Sequence, residues 1–258
     1  MSSAPPLVDR VAIVTGATSG IGAATAVALG QGGAQVLLTG RDGGRAAETA
    51  AAVEAAGGSA LVELGDITDS AFCDRLVGRA VEQWGRLDIV ANVAGVNHRA
   101  DAVGTSDDDW QWVMATNVDA VFYLSRAAVA AMITAGNGGS IVNLGSTVGM
   151  VGTAGMTAYC VSKGAVLQIT RAMALDHAAD GIRANAVCPG AVDTPMLVSG
   201  HAEGTTAGQV HAANIESIPQ GRIPSPDEIA DLIAFLASDA SRHITGTAIP
   251  IDGGYTAQ

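Results

Sequence analysis

Residues 10–22 read RVAIVTGATSGIG, and this stretch decides the fold. Its first half, Arg10 to Thr15, is a short apolar run, which is typical of a buried strand. A glycine-rich turn, Gly16 to Gly22, and an alanine-rich helical run follow. Glycines allow close approach of the backbone to a ligand, and a helix N-terminus directs its amides at phosphate groups. A turn without a ligand is the alternative, since 33 glycines make chance spacings common. The position between a strand and a helix favours a phosphate cradle.

Further apolar runs alternate with alanine-rich stretches along the rest of the chain. They are Gln35 to Thr39, Ala60 to Leu64, Leu87 to Ala91, Ser140 to Leu144, Ile182 to Val187 and Ala248 to Ile251. Most are continuous apolar runs, as expected for strands covered by helices on both faces. Helical stretches such as Arg45 to Ala56 and Ser70 to Trp84 separate them, which implies right-handed crossovers. The sequence therefore predicts an α/β fold over residues 1–258: a doubly wound, parallel, seven-stranded Rossmann-type sheet with helices on both faces, in a single domain.

One segment, Asp193 to Pro224, interrupts this alternation. It is long, rich in Gly, Thr and His, and only weakly periodic. An insertion of this length in a compact pattern is more often functional than idle, so we predict a substrate lid at about residues 193–224. The next four residues, Ser225 to Glu228 (SPDE), predict a capped start for the last long helix.

The composition limits the partners and the compartment. Thirteen basic against 25 acidic side chains give a net charge of −12, so nucleic acid and membrane surfaces are not expected partners. No apolar run reaches the roughly 18 residues that span a bilayer, and the start MSSAPPLVDR lacks a signal peptide's basic and apolar regions. The cysteines are scattered and lack metal-ligand spacing, so we predict no metal site and a cytoplasmic protein with reduced thiols: Cys73, Cys160 and Cys188.

Motifs in a fixed order extend over the chain from about Arg10 to Tyr255. They are TGxxxGIG from Thr15, Asp66, Asn92-Val93-Ala94-Gly95, Asn117, Ser146, Tyr159-x-x-x-Lys163, Pro189-Gly190 with Thr194, and Ile251-Asp252-Gly253-Gly254. In this pattern the chain resembles the short-chain dehydrogenase/reductases. One departure is Val93, where the family usually has asparagine, and we expect it to affect local stability more than chemistry. The resemblance implies an NAD(P)-dependent oxidoreductase that moves hydride between nicotinamide and a carbonyl or secondary alcohol.

The same resemblance implies which residues contact the dinucleotide. They are Gly16, Thr18, Ser19, Gly20, Ile21, Gly22, Arg41, Asp66, Ile67, Asn92, Ala94, Gly95, Tyr159, Lys163, Pro189, Gly190, Val192 and Thr194. Asp66 would meet the adenine edge; its alternative role is a helix cap in the sequence DITD.

Hydride transfer to a carbonyl leaves charge on the oxygen, so a proton donor must lie within hydrogen-bond reach. Tyr159 and Lys163 are four residues apart and share a face of a helix. A phenol suits the task only if its pKa, about 10, is lowered by positive charge, which Lys163 and a bound oxidised nicotinamide would supply. Ser146, past the fifth predicted strand, would hold the substrate oxygen, and by resemblance Asn117 positions a water that links Lys163 to solvent. Isolated residues of these types are usually surface pairs, turns or caps. Lys163 is, however, the only lysine in the chain, which favours a role that arginine cannot fill.

The end of the second strand distinguishes NAD from NADP, because a carboxylate there repels a 2′-phosphate. The position holds Gly40, and Arg41 follows. We therefore predict that NADP(H) is preferred and that NAD(H) remains possible, because Asp42 is adjacent and Ser19 stands where a second basic group is common. Arg41 could instead be a solvated turn residue.

The sequence is less informative about the substrate and the assembly. Val96, Asn97, Val148, Gly149, Met150, Thr153, Met196 and Leu197 suggest a mostly apolar pocket for an uncharged or weakly polar small-molecule carbonyl or alcohol. His98, His201 and His211 are more often solvated than pocket-lining. An acidic acyl carrier protein is a poor partner for a surface of charge −12. Apolar helices around Asp107 to Ala135 and Thr157 to Ala179 carry more apolar surface than one sheet face can cover, so we predict a homo-oligomer, most simply a homotetramer. The family resemblance implies that these helices form a four-helix contact and that Ile251 to Tyr255 forms a second one.

Two other functions are compatible with the fold. A dinucleotide-binding sensor would keep the glycine turn, but such proteins typically lose the tyrosine or lysine, and both are present. An epimerase or dehydratase usually has a larger C-terminal substrate domain, and too few residues follow Gly190 for one.

Overall fold

The seven predicted strands form one parallel sheet. The structure, a computed structural model, describes residues 6–201 and 204–258. In chain order the strands are β1 (Val11–Thr15), β2 (Gln35–Gly40), β3 (Ser59–Leu64), β4 (Ile89–Asn92), β5 (Gly139–Leu144), β6 (Ile182–Pro189) and β7 (Ala248–Ile251). Their spatial order is β3-β2-β1-β4-β5-β6-β7, and every neighbouring pair is parallel. The predicted strand positions agree to within about two residues, so the doubly wound sheet is confirmed.

Helices cover both faces of the sheet. They are α1 (Gly20–Gln31), α2 (Gly43–Ala55), α3 (Ser70–Trp84), α4 (Asp107–Met114), α5 (Ala120–Ala135), α6 (Thr157–Asp176), α7 (Pro195–Val198), α8 (Ala207–Ser217) and α9 (Pro226–Ala237). The core on one face includes side chains of α1, α2 and α9, and the core on the other includes side chains of α3, α5 and α6. The strand order reverses between β1 and β4. In doubly wound sheets the crevice at this reversal is where ligands bind.

Local chemistry sets the starts of several helices. Ser225 and Glu228 form a reciprocal capping box with Pro226 at the first position of α9, as the sequence predicts. Asp42 caps α2 and Asp69 caps α3 through backbone amides. Asp69, not Asp66, is therefore the helix cap in the DITD sequence.

A buried carboxylate joins the N-terminal ends of the central strands. Asp88, whose side chain is 3% exposed, accepts hydrogen bonds from Arg86 at 2.8 and 2.6 Å and from Arg10 at 3.2 Å. The Val11 amide at the start of β1 also donates to it, at 3.0 Å. Burial alone would raise the pKa of Asp88, but the Arg86 and Val11 hydrogen bonds and the arginine charges hold it below its ordinary value.

One helical stretch is long and apolar enough to cross a bilayer by length and composition alone. It is Asp107–Ala135, with 29 residues and a most apolar window of mean hydropathy 1.4. Asp119 and Arg126 interrupt this stretch, so it contains no uninterrupted apolar run of 18 residues. In the fold, Leu124, Ala128 and Met132 of this stretch pack in the core. The length and composition are weak evidence for a span, because core helices pass the same test.

The predicted lid contains two helices, α7 and α8, where the sequence shows little periodicity. Its ends meet: the Asp193 amide donates to the Pro224 carbonyl at 3.1 Å. Residues 202 and 203 of this segment lie outside the described residues.

Candidate active site

The glycine-rich turn after β1 borders a cavity of about 410 Å³ at the C-terminal edge of the sheet. Gly16 has φ +66°, and a Cβ there would lie 2.8 Å from the Ala94 Cα, so the turn requires glycine. The amides of Gly20, Ile21 and Gly22, in the first turn of α1, have no hydrogen-bond acceptor among the described residues. Free amides at a helix N-terminus beside a close-packed glycine turn fit a pyrophosphate.

Most residues predicted to contact a dinucleotide border this first cavity. They are Gly16, Thr18, Ser19, Gly20, Ile21, Gly22, Arg41, Asp66, Ile67, Ala94, Gly95 and Thr194. One oxygen of Asp66 accepts from the Thr68 amide at 2.9 Å and from the Thr68 hydroxyl at 2.8 Å. These hydrogen bonds lower the pKa of Asp66, with a smaller contribution from the Arg41 charge, so the carboxylate at the cavity wall is ionised.

The end of β2 lies at the first cavity, where the cofactor prediction places it. Gly40 and Arg41 border the cavity, and Arg41 is exposed, with no side-chain partner in the described part of the chain. The neighbouring Asp42 faces α2 instead, where it accepts from the Arg45 amide at 3.1 Å. A Cβ on Gly40 would collide with the Thr18 methyl group.

A second cavity, of about 300 Å³, adjoins the first, and Ile21, Leu144, Thr194 and Met196 border both. Its wall contains Ser146 and Tyr159 together with Pro189, Gly190 and Val192 from the sequence prediction. Asn97, Val148, Thr153, Met196 and Leu197 also line it, as expected. Val96 borders the first cavity instead. Gly149 and Met150 line neither cavity, and neither do His98, His201 and His211.

The tyrosine and lysine lie together on α6. Lys163 is 3% exposed, its Nζ donates to the Leu144 carbonyl at 2.7 Å, and it lies 5.7 Å from the centre of the Tyr159 ring. Ser146 follows β5, and its hydroxyl lies 3.4 Å from the Pro189 carbonyl. Helix α6 and the end of β5 thus bring the Tyr159 phenol and the Ser146 hydroxyl to one cavity. The Lys163 ammonium lies beside the Tyr159 ring.

Burial dominates the pKa values of both residues of the tyrosine–lysine pair. Burial raises the pKa of Tyr159 to about 12, although the neighbouring Ser146 hydroxyl and the Arg99 charge act in the opposite direction. Burial also lowers the pKa of Lys163 to about 8. The lowering expected from Lys163 together with a bound oxidised nicotinamide stays a prediction.

Two asparagines of the predicted site, Asn92 and Asn117, line neither cavity. Asn92, predicted to contact the dinucleotide, is buried, and its amide donates to Ser125 at 3.0 Å and to Asn143 at 2.8 Å. Asn117 lies in a π-helical turn, Ala115–Asp119, and exchanges hydrogen bonds of 2.8 and 2.9 Å with the backbone of Val96. The Asn92 side chain therefore joins β4 to β5 and α5, and its contact with the dinucleotide stays a prediction. The water relay through Asn117 stays a prediction.

Several lining residues are absent from the sequence prediction. Trp112 and Thr116 border the first cavity from α4 and the π-helical turn. Arg99, Asn214 and Tyr255 border the second. Tyr255 belongs to the segment expected to form a subunit contact. An arginine close to the Asn-Val-Ala-Gly motif is a signal that could have found Arg99; the others reach the site only through the fold.

The fold and the site together define a class: an oxidoreductase in which a dinucleotide cradle adjoins a tyrosine–lysine pair. A family model described as enoyl-(acyl carrier protein) reductase matches residues 16–256. The chain is 36% identical over 250 residues to 2,5-dichloro-2,5-cyclohexadiene-1,4-diol dehydrogenase of Sphingobium indicum, covering 97% of each. It is 39% identical over 255 residues to cis-4-hydroxycyclohexanecarboxylate dehydrogenase of Sinomonas cyclohexanicum, covering 96% of this chain and 97% of that one.

A solved structure of actinorhodin polyketide ketoreductase with NADPH is also similar. It has a TM-score of 0.91 at 32% identity and covers 96% of this chain and 98% of that one. The chain belongs to the short-chain dehydrogenase/reductase family, as its motifs predict. Its homologues are NAD(P)-dependent enzymes that act on CH–OH and C=O groups, and the chain is an enzyme of this type.

Proposed function

We propose that this protein interconverts a small cyclic secondary alcohol and its ketone with NADP(H), with Tyr159 as the acid/base. One observation carries the proposal: the cavity that holds Tyr159 and Ser146 opens beside the glycine cradle. The cyclic class rests on two relatives whose names specify ring alcohols.

Each residue has a separate task in this proposal. A nicotinamide dinucleotide, when bound, donates or accepts the hydride. Ser146 hydrogen-bonds the substrate oxygen, and Tyr159 passes its hydroxyl proton to that oxygen in reduction and takes it back in oxidation. Burial favours the neutral phenol, which is the form that donates the proton in reduction. Lys163 stabilises the phenolate that reduction leaves, because its Nζ lies beside the ring.

NADP(H) is the proposed preferred cofactor, and NAD(H) remains a possible one. Gly40 offers no carboxylate against a 2′-phosphate, Arg41 has no competing partner among the described residues, and Asp42 faces α2. The similar ketoreductase structure contains NADPH. A guanidinium suits a phosphate because its planar set of donors matches two oxygens at once.

The segment from Asp193 to Pro224 acts as the substrate lid in this proposal. Its residues Met196, Leu197, Asn214 and Ser217 border the second cavity.

The proposed location is the cytoplasm. The three cysteines are free thiols, which is typical of proteins in a reducing compartment.

A homotetramer is the proposed assembly. Helices α5 and α6 expose large apolar side chains, and Leu175 on α6 is 81% exposed. Trp112, Phe122, Ile133 and Val161 are also exposed on this helical layer. Apolar side chains concentrated on one helical layer are typical of a protein–protein contact.

The experiment is a screen of cyclic ketones and alcohols with NADPH and NADH, followed by nicotinamide absorbance, with wild type and Tyr159→Phe. We expect Tyr159→Phe to keep the fold and cofactor binding but to lose all except about a hundredth of the turnover, since proton transfer contributes about 10²–10⁴-fold. Cofactor binding is checked by fluorescence. A variant that keeps more than about a tenth of the wild-type rate, with chemistry limiting, would show that Tyr159 is not the acid/base. Wild type that binds NADPH but turns over no carbonyl would favour a sensor.

A further inference from the structure

Arg99 stands out among the partly buried arginines of the described residues because its donors are largely unused. Its Nε donates to the Ser199 carbonyl at 3.2 Å, and its Nη1 lies 3.7 Å from the Met156 sulfur, a weak acceptor. No carboxylate lies within ion-pair distance of it in residues 6–201 and 204–258. A guanidinium has five N–H donors, so most of those of Arg99 remain available.

Arg183 provides the comparison within the same chain. It is also partly buried, but it donates to the carbonyls of Ile244, Leu236 and Ser238 at 3.2, 2.8 and 3.2 Å. Arg183 therefore links β6 to the backbone around α9, and these carbonyls accept the hydrogen bonds of its guanidinium. A partly buried arginine without such partners costs free energy of desolvation that a ligand can offset.

The position of Arg99 is at the reaction site. It borders the second cavity with Ser146 and Tyr159, and its charge is close enough to act on the Tyr159 phenol. It is the only charged residue in the described wall of that cavity. In a chain with 25 acidic and 13 basic side chains, a cavity wall with one arginine and no carboxylate is locally positive.

A second side chain in the same loop also lacks a partner. Asn97 borders the second cavity, and its buried Oδ1 accepts no hydrogen bond in the described part of the chain. The amide nitrogen of Asn97 is not fully buried and donates to none of the described residues, so this donor is available to a ligand at the cavity. Asn97 and Arg99 thus place unused polar groups two residues apart on one wall.

We propose that Arg99, with Asn97 beside it, binds an oxyanion group of the substrate, such as a carboxylate or sulfonate, while the alcohol or ketone carbon lies at Tyr159. This inference rests on the proposed function and specifies its substrate class: a hydroxy or keto acid. It differs from the sequence expectation of an uncharged or weakly polar substrate, because that expectation rests on apolar lining residues and does not include Arg99.

The test compares 4-oxocyclohexanecarboxylate with its methyl ester, using wild type, Arg99→Gln and Arg99→Lys. Arg242→Gln is the matched control, because this substitution removes the same charge from an exposed residue that borders neither cavity. A third arm with 4-oxocyclohexanesulfonate distinguishes the two oxyanions. We expect wild type to favour an acid over the ester by about tenfold or more in kcat/KM.

Arg99→Gln should lower kcat/KM for the acid by about ten- to a hundredfold, mainly through KM, and change that for the ester by less than about twofold. Arg99→Lys should recover part of the loss, and Arg242→Gln should behave like wild type. Equal wild-type rates on acids and ester would overturn the inference without touching the proposed function. An Arg99→Gln variant that loses the same factor of kcat/KM on acid and ester, with a shifted pH profile, would also overturn the inference. Arg99 would then act on the pKa of Tyr159 and not on the substrate. Failure of wild type on every carbonyl would overturn both.

Discussion

Gly40 shows how a single missing side chain can have two consequences. Its position lacks the carboxylate that would repel a 2′-phosphate, and it also leaves room for Thr18, whose methyl group a Cβ at residue 40 would meet. An acidic substitution at this position therefore changes charge and packing together. A clean test of cofactor preference must separate the two effects.

Removing the Thr18 methyl first makes that separation. We expect wild type to favour NADPH over NADH by about ten- to a hundredfold in kcat/KM, because a charge-assisted contact contributes about 1.5–3 kcal/mol. Thr18→Ser/Gly40→Asp should shift the ratio toward NADH relative to Thr18→Ser alone, the control for lost packing. Kinetics with both cofactors give the answer. A wild type that prefers NADH, or a ratio unmoved by the aspartate, would mean that Arg41 points to solvent.

Residues set by local spacing were predictable, whereas residues delivered by the fold were not. Gly16, Tyr159 and Ser146 could be placed because a turn, a helix face or a strand end fixes each of them. Trp112 and Asn214 reach the cavities from separate helices, and no local pattern marks them. The desolvation of Tyr159 is not predictable for a related reason: it depends on every surrounding group, whereas the sequence shows only the nearest charge.

Strands were the most predictable elements, because burial on both faces makes them continuous apolar runs. The π-helical turn between α4 and α5 carries no such signal, since its distortion accompanies the contact of Asn117 with the Val96 loop. Asp88 was missed as well. Its importance comes from Arg10 and Arg86, which only the folded strand ends bring to it.

Asp88→Asn should lower the free energy of unfolding by about 1–3 kcal/mol, because the arginines lose their anion but keep some access to water. The native pKa of Asp88 is lowered, so its contribution is present above the unfolded pKa of about 4 and is lost as the pH falls through the native value. Denaturant unfolding at pH 7, 5 and 3 should therefore show a smaller acid loss in Asp88→Asn than in wild type. Asp239→Asn is the matched control: it also faces Arg10, at 3.0 Å, but is 83% exposed, so its midpoint should stay close to wild type. Equal effects of the two substitutions would contradict a structural role for the buried carboxylate.

At the scale of the whole molecule, the apolar surface of α5 and α6 remains to be accounted for. Phe122 and Val161 are exposed on these helices although both faces of the sheet are already covered. The amino-acid composition of the two helices already indicates an excess of apolar surface. Which side chains face outward required the structure, because neither helix has a pronounced apolar stripe that marks one face.

Light scattering at micromolar concentration should give the mass of a tetramer for wild type. Phe122→Glu/Val161→Glu should reduce the mass to dimer or monomer, since a buried carboxylate without a partner is costly in an apolar contact. Val8→Glu adds a carboxylate at another exposed apolar position and should remain tetrameric. A monomeric wild type would reject the assembly, and an unchanged double variant would place the contact elsewhere.

The hydrogen bond that joins Asp193 to Pro224 has a consequence for how such enzymes diverge. Because the two ends of the segment already meet, the chain between them can be lengthened, shortened or exchanged without moving β6 or α9. The entropic cost is small, about 0.6 kcal/mol for each doubling of loop length. Tyr159 and the glycine turn lie outside the segment, whereas Met196 and Asn214, which border the substrate cavity, lie inside it. One part of the wall of the second cavity can therefore be exchanged as a unit, while Tyr159, Ser146 and Arg99 keep their places on the rest of the fold.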